Sequence, residues 1–156
     1  MKKITENITI ENAVLRFRNF SGKPDRFNPG GKRTFCVFLD SDISETLLKD
    51  GWNVKYLQPR NEGDEPQGYL QVNVSYNNYP PKILLITSNG KTLLNEETVD
   101  SLDWAEIENV DLIIRPYNWE VNGKEGVAAY LKSMYVTIVE DKLDKKYADE
   151  KTEEFF

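Results

Sequence analysis

Residues 110–139 read VDLIIRPYNWEVNGKEGVAAYLKSMYVTIV. Two runs rich in β-branched and aromatic side chains flank Asn122-Gly123. A type I′ turn needs positive φ at both central residues, which Asn and Gly adopt at least cost. The stretch therefore predicts a long hairpin, strands 110–121 and 127–139 joined at Asn122-Gly123. Outward from it the same period-2 signal recurs. Residues 8–20 alternate, with Leu15 and Phe17 on one side and Arg16, Arg18 and Phe20 on the other. Ser21-Gly22-Lys23-Pro24 and Asn28-Pro29-Gly30-Gly31 punctuate a loop, and residues 33–39 resume a strand, so these two basic strands form a second long hairpin. Residues 69–76 alternate with one buried face until Pro80-Pro81, and residues 82–88 turn at Asn89-Gly90 into 91–94.

Helical signals are minor. Asp40-Ser41-Asp42 with Glu45, and Gly51 beyond, bracket a short helix over 42–50. A second short helix is expected over 96–104, and residues 52–57 are extended. Six or seven strands, no fixed-period repeat and no regular alternation with long helices exclude a doubly wound parallel sheet. The fold expected is all-β with one or two short helices: a closed or nearly closed antiparallel barrel of the oligonucleotide-binding (OB) type, with a β-sandwich as the alternative. Beyond Val139 apolar periodicity stops. Residues 1–139 are read as one binding domain and 140–156 as an acidic, largely disordered tail ending in Phe155-Phe156.

Composition removes whole classes of chemistry. The 156 residues contain no histidine and one cysteine, Cys36. Ser-His-Asp and Cys-His nucleophiles cannot be assembled, nor can imidazole or thiolate zinc sites. No intramolecular disulfide can form, which fits a reducing cytoplasm. No apolar run approaches the ~20 residues that span a bilayer, and Met1-Lys2-Lys3 leads into polar residues, so neither membrane contact nor a signal peptide is expected. No cofactor and no metal are expected, and a binding protein is favoured over an enzyme.

The formal net charge of −6 argues against a nucleic-acid partner only until it is mapped. Residues 1–60 carry 11 Lys/Arg against 7 Asp/Glu; residues 61–139 carry 5 against 12, and 140–156 carry 4 against 7. Between Val14 and Phe35 lie Arg16, Arg18, Lys23, Arg26, Lys32 and Arg33 against Asp25 alone. Screening confines each charge to about 8–10 Å, so local sign outweighs the total. Single-stranded nucleic acid offers a line of phosphates and flat bases, which a protein grips with cations along a groove and rings for stacking. The candidate set is Arg16, Arg18, Phe20, Lys23, Arg26, Phe27, Lys32 and Arg33 on the first hairpin, with Tyr69, Tyr76, Tyr79, Arg115, Tyr117 and Trp119 elsewhere. Phe17, Phe35 and Trp104 are assigned to the core, where aromatic burial is a main source of stability, and Cys36 reads as a small core residue. The carboxylates at 62–65 and 100–108 follow no metal-loop spacing and read as solvated surface. Gly30-Gly31-Lys32 does not complete a phosphate loop.

Asn19-Phe20-Ser21-Gly22-Lys23, Gly51-Trp52-Asn53-Val54-Lys55-Tyr56-Leu57 and Ile113-Ile114-Arg115-Pro116-Tyr117 resemble small phage-encoded single-stranded-DNA-binding proteins, across most of residues 8–148. The resemblance implies an OB barrel that binds single-stranded DNA without sequence preference in phage replication or recombination. The tail residues Asp149, Glu150, Glu153, Glu154, Phe155 and Phe156 are similar to the acidic, Phe-terminated tails of such proteins. Those tails contact replication and recombination enzymes and compete with DNA for the protein's own groove. Lys151 departs from that pattern. Polymerase or helicase-primase partners follow from the resemblance. Barrels of this type often pair, so a homodimer is an expectation. Two other readings stay open: an inhibitor or DNA mimic acting through the acidic middle, and a carboxylate-metal nuclease.

Overall fold

The computed structural model describes residues 3–26, 28–77 and 79–140. The hairpin at Asn122-Gly123 is its longest feature. Strand β8 (Ile107–Val121) pairs antiparallel with β9 (Lys124–Ile138). Asn122 and Gly123 take φ of 54° and 79°, as a type I′ turn requires. Around this hairpin stand β1 (Ile8–Ile10), β2 (Leu15–Asn19), β3 (Thr34–Leu39), β4 (Val54–Leu57), β5 (Gln67–Asn73), β6 (Lys82–Thr87) and β7 (Gly90–Leu94). Helix α1 (Ser41–Lys49) and a 3₁₀ turn (Val99–Asp103) complete the described elements.

The nine strands form one sheet in the order β1-β8-β9-β5-β3-β2, with β4 on β5 and the β6–β7 hairpin on β9. Its two ends, β1 and β2, are successive pieces of the segment read as a single strand from Ile8 to Phe20. The chain kinks between them at Asn12, whose φ is 54°. Across the kink Ala13 N donates to Val110 O at 2.8 Å, and Phe38 N donates to Val14 O at 3.0 Å. One chain segment thus leaves β8 and joins β3, linking the two ends of an open mixed sheet in an OB-like arrangement.

The sheet is mixed rather than antiparallel throughout, which corrects the sequence reading. β5 runs parallel to β9 at Val72↔Ala129 and Asn73↔Tyr130, and β6 runs parallel to β9 from Lys82↔Ser133 to Ile86↔Thr137. Period-2 patterning reports which residues face inward. It carries no information on the direction of a distant partner. The strand count also exceeds the expected six or seven, because the first strand is split and 54–57 pairs with β5.

Inside the barrel lie Leu15, Phe35, Val37, Leu70, Val72, Ile114, Val127, Ala129 and Leu131, all buried. The 3₁₀ turn packs Val99 and Leu102 into the same core. The expected helix 42–50 is α1, although Asp40 at its N-cap position makes no side-chain capping bond. The turn expected at Asn89-Gly90 is centred one residue earlier, since Thr87 pairs with Gly90. Glu140 holds that turn, accepting from Ser88 N at 2.8 Å and Ser88 Oγ at 2.6 Å. Among the described residues no helix is long and apolar enough to cross a membrane.

Candidate nucleic-acid interface

The site begins with a bulge in β2. Arg16 pairs with Cys36 and Asn19 with Thr34, so three steps on β2 face two on β3. An extra residue in one strand reverses the inward-outward parity beyond it. Leu15 points inward and Arg16 outward. Phe17 takes φ 53° inside the bulge and is 63% exposed. Phe20, beyond the bulge, turns inward, is 0% exposed and stacks on Phe35 with centroids 5.1 Å apart and ring planes 20° from parallel. The two phenylalanines exchange the places the sequence reading gave them. Phe17 was assigned to the core and is outside. Phe20 was assigned to DNA and is sealed in the core, which removes it from the interface.

The outer face of the barrel is continuous across six strands, β2, β3, β4, β5, β9 and β8. Arg16 lies over the Phe38 ring at 5.1 Å, and Phe17 leans toward Tyr69 with centroids 6.3 Å apart. Phe38 is opposite Tyr69, and Tyr69 is opposite Lys55. Asn73 pairs with Tyr130, which pairs with Arg115. The Arg115 guanidinium sits 5.2 Å from the Tyr79 ring centroid and 5.0 Å from that of Tyr130. Its Nε is buried and makes no hydrogen bond among the described residues. Tyr117 packs against Tyr130 at 5.6 Å, and Trp119 lies directly across from Gly126.

Charge on this face is segregated. The segments that build it, residues 15–19, 34–39, 54–57, 67–73, 115–119 and 126–130, contain no Asp or Glu, although the chain has 26. They carry Arg16, Arg18, Lys55 and Arg115. Carboxylates gather at its border, in a cleft that shares Phe38, Gln67 and Gly68 with these segments. This cleft of about 1080 Å³ between the β1–β2 kink and α1 is lined by Glu11, Asp40, Asp42, Glu45 and Glu65 and by no Lys or Arg. No group of carboxylates and thiols among the described residues is arranged to hold a metal. Such a face suits a polyanion with flat groups: cations set in a low-dielectric aromatic surface attract phosphate, and exposed ring faces accept bases.

The structure therefore brings together Arg16, Tyr69, Tyr79, Arg115, Tyr117 and Trp119 from the expected set. Besides Phe20, it does not bring in three others. Arg18 donates from Nη1 to Leu102 O at 2.9 Å and Ala105 O at 2.8 Å, which ties β2 to the 3₁₀ turn. Arg33 donates to Phe20 O at 2.6 Å, lies 3.8 Å from the Glu96 carboxylate and covers the Tyr76 ring at 5.4 Å. Tyr76 packs against the core with its Oη buried. Burial pushes its phenol up, Arg33 opposes this and Glu96 adds to it. Lys23, Arg26 and Lys32 stand exposed on the loop between β2 and β3. Phe27 and the tail set Asp149, Glu150, Glu153, Glu154, Phe155 and Phe156 lie outside the described residues.

Four outer-face residues escaped the sequence reading: Phe17, Phe38, Lys55 and Tyr130. Tyr130 was legible, because counting back from Asn122-Gly123 sets it opposite Arg115. Phe38 shares parity with Thr34 and Cys36. Cys36, read as a core residue, is buried on this outer side between Arg16 and Gln71. Desolvation pushes its thiol above the ordinary 9.0, with Lys55 pulling the other way. Trp104, also assigned to the core, is 72% exposed beyond the 3₁₀ turn.

A family model described as a putative phage ssDNA-binding domain matches residues 1–154. No curated protein sequence matches. The single-stranded DNA-binding protein from bacteriophage Enc34 shares 13% identity, covering 90% of this chain and 89% of its own, with a TM-score of 0.54. The same protein in complex with ssDNA shares 15% identity over 90% of this chain and 95% of its own, with a TM-score of 0.55. At this identity the structural likeness concerns the fold.

Proposed function

The chain belongs to the phage ssDNA-binding domain family, and on that premise we propose that it coats single-stranded DNA without sequence preference across the outer face of β2, β3, β4, β5, β9 and β8. The observation that carries this reading is a carboxylate-free face holding Phe17, Phe38, Tyr69, Tyr79, Tyr117, Trp119 and Tyr130. Phosphates meet Arg16, Lys55 and Arg115, and the loop cations Lys23, Arg26 and Lys32 extend the track. Bases stack on the rings, a sequence-tolerant contact worth about 1–3 kcal/mol each. The role is binding rather than catalysis, in phage replication or recombination in the host cytoplasm. Residues 1–139 form the binding domain. Residues 140–156 serve as a tail that docks on polymerase or helicase-primase and competes with DNA for the cationic face, and two copies pair.

Tryptophan fluorescence titrated with oligo-dT at two salt concentrations tests the reading. Quenching should fade with salt, with a log-log slope of about −2 if Arg16, Lys55 and Arg115 each neutralise one phosphate, and about −4 if the loop cations join them. Arg16→Ala with Arg115→Ala should weaken binding and flatten the slope. Deleting residues 147–156 should tighten it. Binding that ignores both arginines would place the DNA on another surface.

A further inference from the structure

Gly126 sits near the start of β9, directly opposite Trp119. Its φ lies outside the left-handed range, so its backbone accepts any L-residue. What excludes a side chain is the indole. A Cβ built at Gly126 would lie 2.7 Å from Trp119 Cζ2, 2.9 Å from Cε2 and 3.1 Å from Nε1. Those are its three nearest neighbours, and all belong to one ring system. Carbon atoms pack at about 3.5–4.0 Å, so even a methyl group would lift the indole by roughly 0.8 Å.

We infer that Gly126 is a positioning residue: by lacking a side chain it seats the Trp119 indole flat on the β9 backbone and so fixes that ring as a base-stacking platform. The inference rests on the DNA-binding reading above. Three features support it. Trp119 shares the outer face with Arg115 and Tyr117, at alternate positions of β8, and its surface is only partly covered. The seat is three residues from the Asn122-Gly123 turn, in the last pairs of the hairpin, where the register is fixed. A ring clamped on one face loses little freedom when a base covers the other, which lowers the ordering cost of binding. Covering a strand glycine with a cross-strand aromatic also steadies the sheet. The test therefore needs a readout that stability alone does not move.

That readout is the preference for bases. Oligo-dT and an abasic oligonucleotide of equal length are titrated against the full chain at one salt concentration. The background is Trp104→Phe, which leaves buried Trp52 and platform Trp119 as emitters. Gly126→Val should weaken oligo-dT binding by about five- to tenfold. It should abolish the quenching and leave abasic affinity and the salt slope unchanged. Gly126→Ala gives the same pattern to a smaller degree and serves if the valine variant does not fold. Trp119→Ala should reproduce the loss, and adding Gly126→Val to it should cost nothing further. Equal losses on both oligonucleotides, or a further loss in the double variant, would overturn the seat. Wild-type preference for oligo-dT persisting in Trp119→Ala would also overturn it while leaving DNA binding intact. A wild-type chain that bound neither oligonucleotide would remove the DNA-binding reading itself.

Discussion

Replacing Phe20 with alanine deletes a ring that is 0% exposed and stacked at 5.1 Å on Phe35. A buried phenylalanine truncated to alanine costs about 3–5 kcal/mol, because transfer free energy and residual cavity add. The stacked partner argues for the upper part of that range, since an aromatic pair contributes about 0.5–1.5 kcal/mol beyond its area. In a chain of this size each kcal/mol moves the melting midpoint by about 2–4 °C, so Phe20→Ala should lower Tm by roughly 6–20 °C. Phe17→Ala is the matched control three residues earlier. That ring is 63% exposed, and a surface truncation there should change stability by no more than about 0.5 kcal/mol. Its effect should fall on DNA instead, raising Kd for oligo-dT about fivefold or more. Urea unfolding followed by the emission of buried Trp52 measures the first effect, and oligo-dT titration well below Tm measures the second. If Phe17→Ala melted lower than Phe20→Ala, or Phe20→Ala kept its urea midpoint while losing DNA, the one-residue bulge in β2 would be misplaced. The outward assignment of Phe17 would then reverse, whereas Arg16, which precedes the bulge, would keep its place.

Arg115→Lys should fail to restore what Arg115→Ala loses in DNA affinity, because an ammonium cannot present a flat edge between the rings of Tyr79 and Tyr130; titration of both variants decides it. The Cys36 thiol should react slowly with a maleimide at neutral pH, since burial raises its pKa, and more slowly still with oligo-dT bound over Arg16. Both Cys36 and Tyr76 have folded pKa values raised above their ordinary 9.0 and 10.0, so their contribution to stability is complete below those values and is lost as pH rises past them. Urea midpoints measured from pH 7 to about pH 11 should fall on the alkaline side, and less so in Cys36→Ala. Gly22→Ala should destabilise by about 1–3 kcal/mol, because φ is 71° and the new Cβ would meet Gly31 O at 2.8 Å; chemical denaturation gives the value.

Much of this molecule is local information. Asn122-Gly123 is enough to set the register of β8 and β9, and the register sets Tyr130 beside Arg115 without reference to the rest of the fold. The absence of histidine removes the commonest catalytic chemistries at a glance. The basic loop between β2 and β3 is exposed as its Gly, Pro and Lys content implies. Arg18 and Arg33 show where such reading stops. Their charge matches that of Arg16, yet Arg18 is held by the carbonyls of Leu102 and Ala105 and Arg33 lies beside the carboxylate of Glu96, all more than sixty residues away in sequence.

The sequence by itself determined the strands, the principal turn, the all-β class and the sign of the charge near residues 14–35, because each follows from backbone preference and spacing within a few residues. Tertiary structure alone decided that Phe17 faces out and Phe20 in, that β5 and β9 run parallel, and that Arg16 and Arg115 share one face. A bulge arises when two strands of unequal count must share one ladder, and strand direction and facing depend on which distant segment supplies the next edge. Those are relations between segments, and no window along the chain contains both partners.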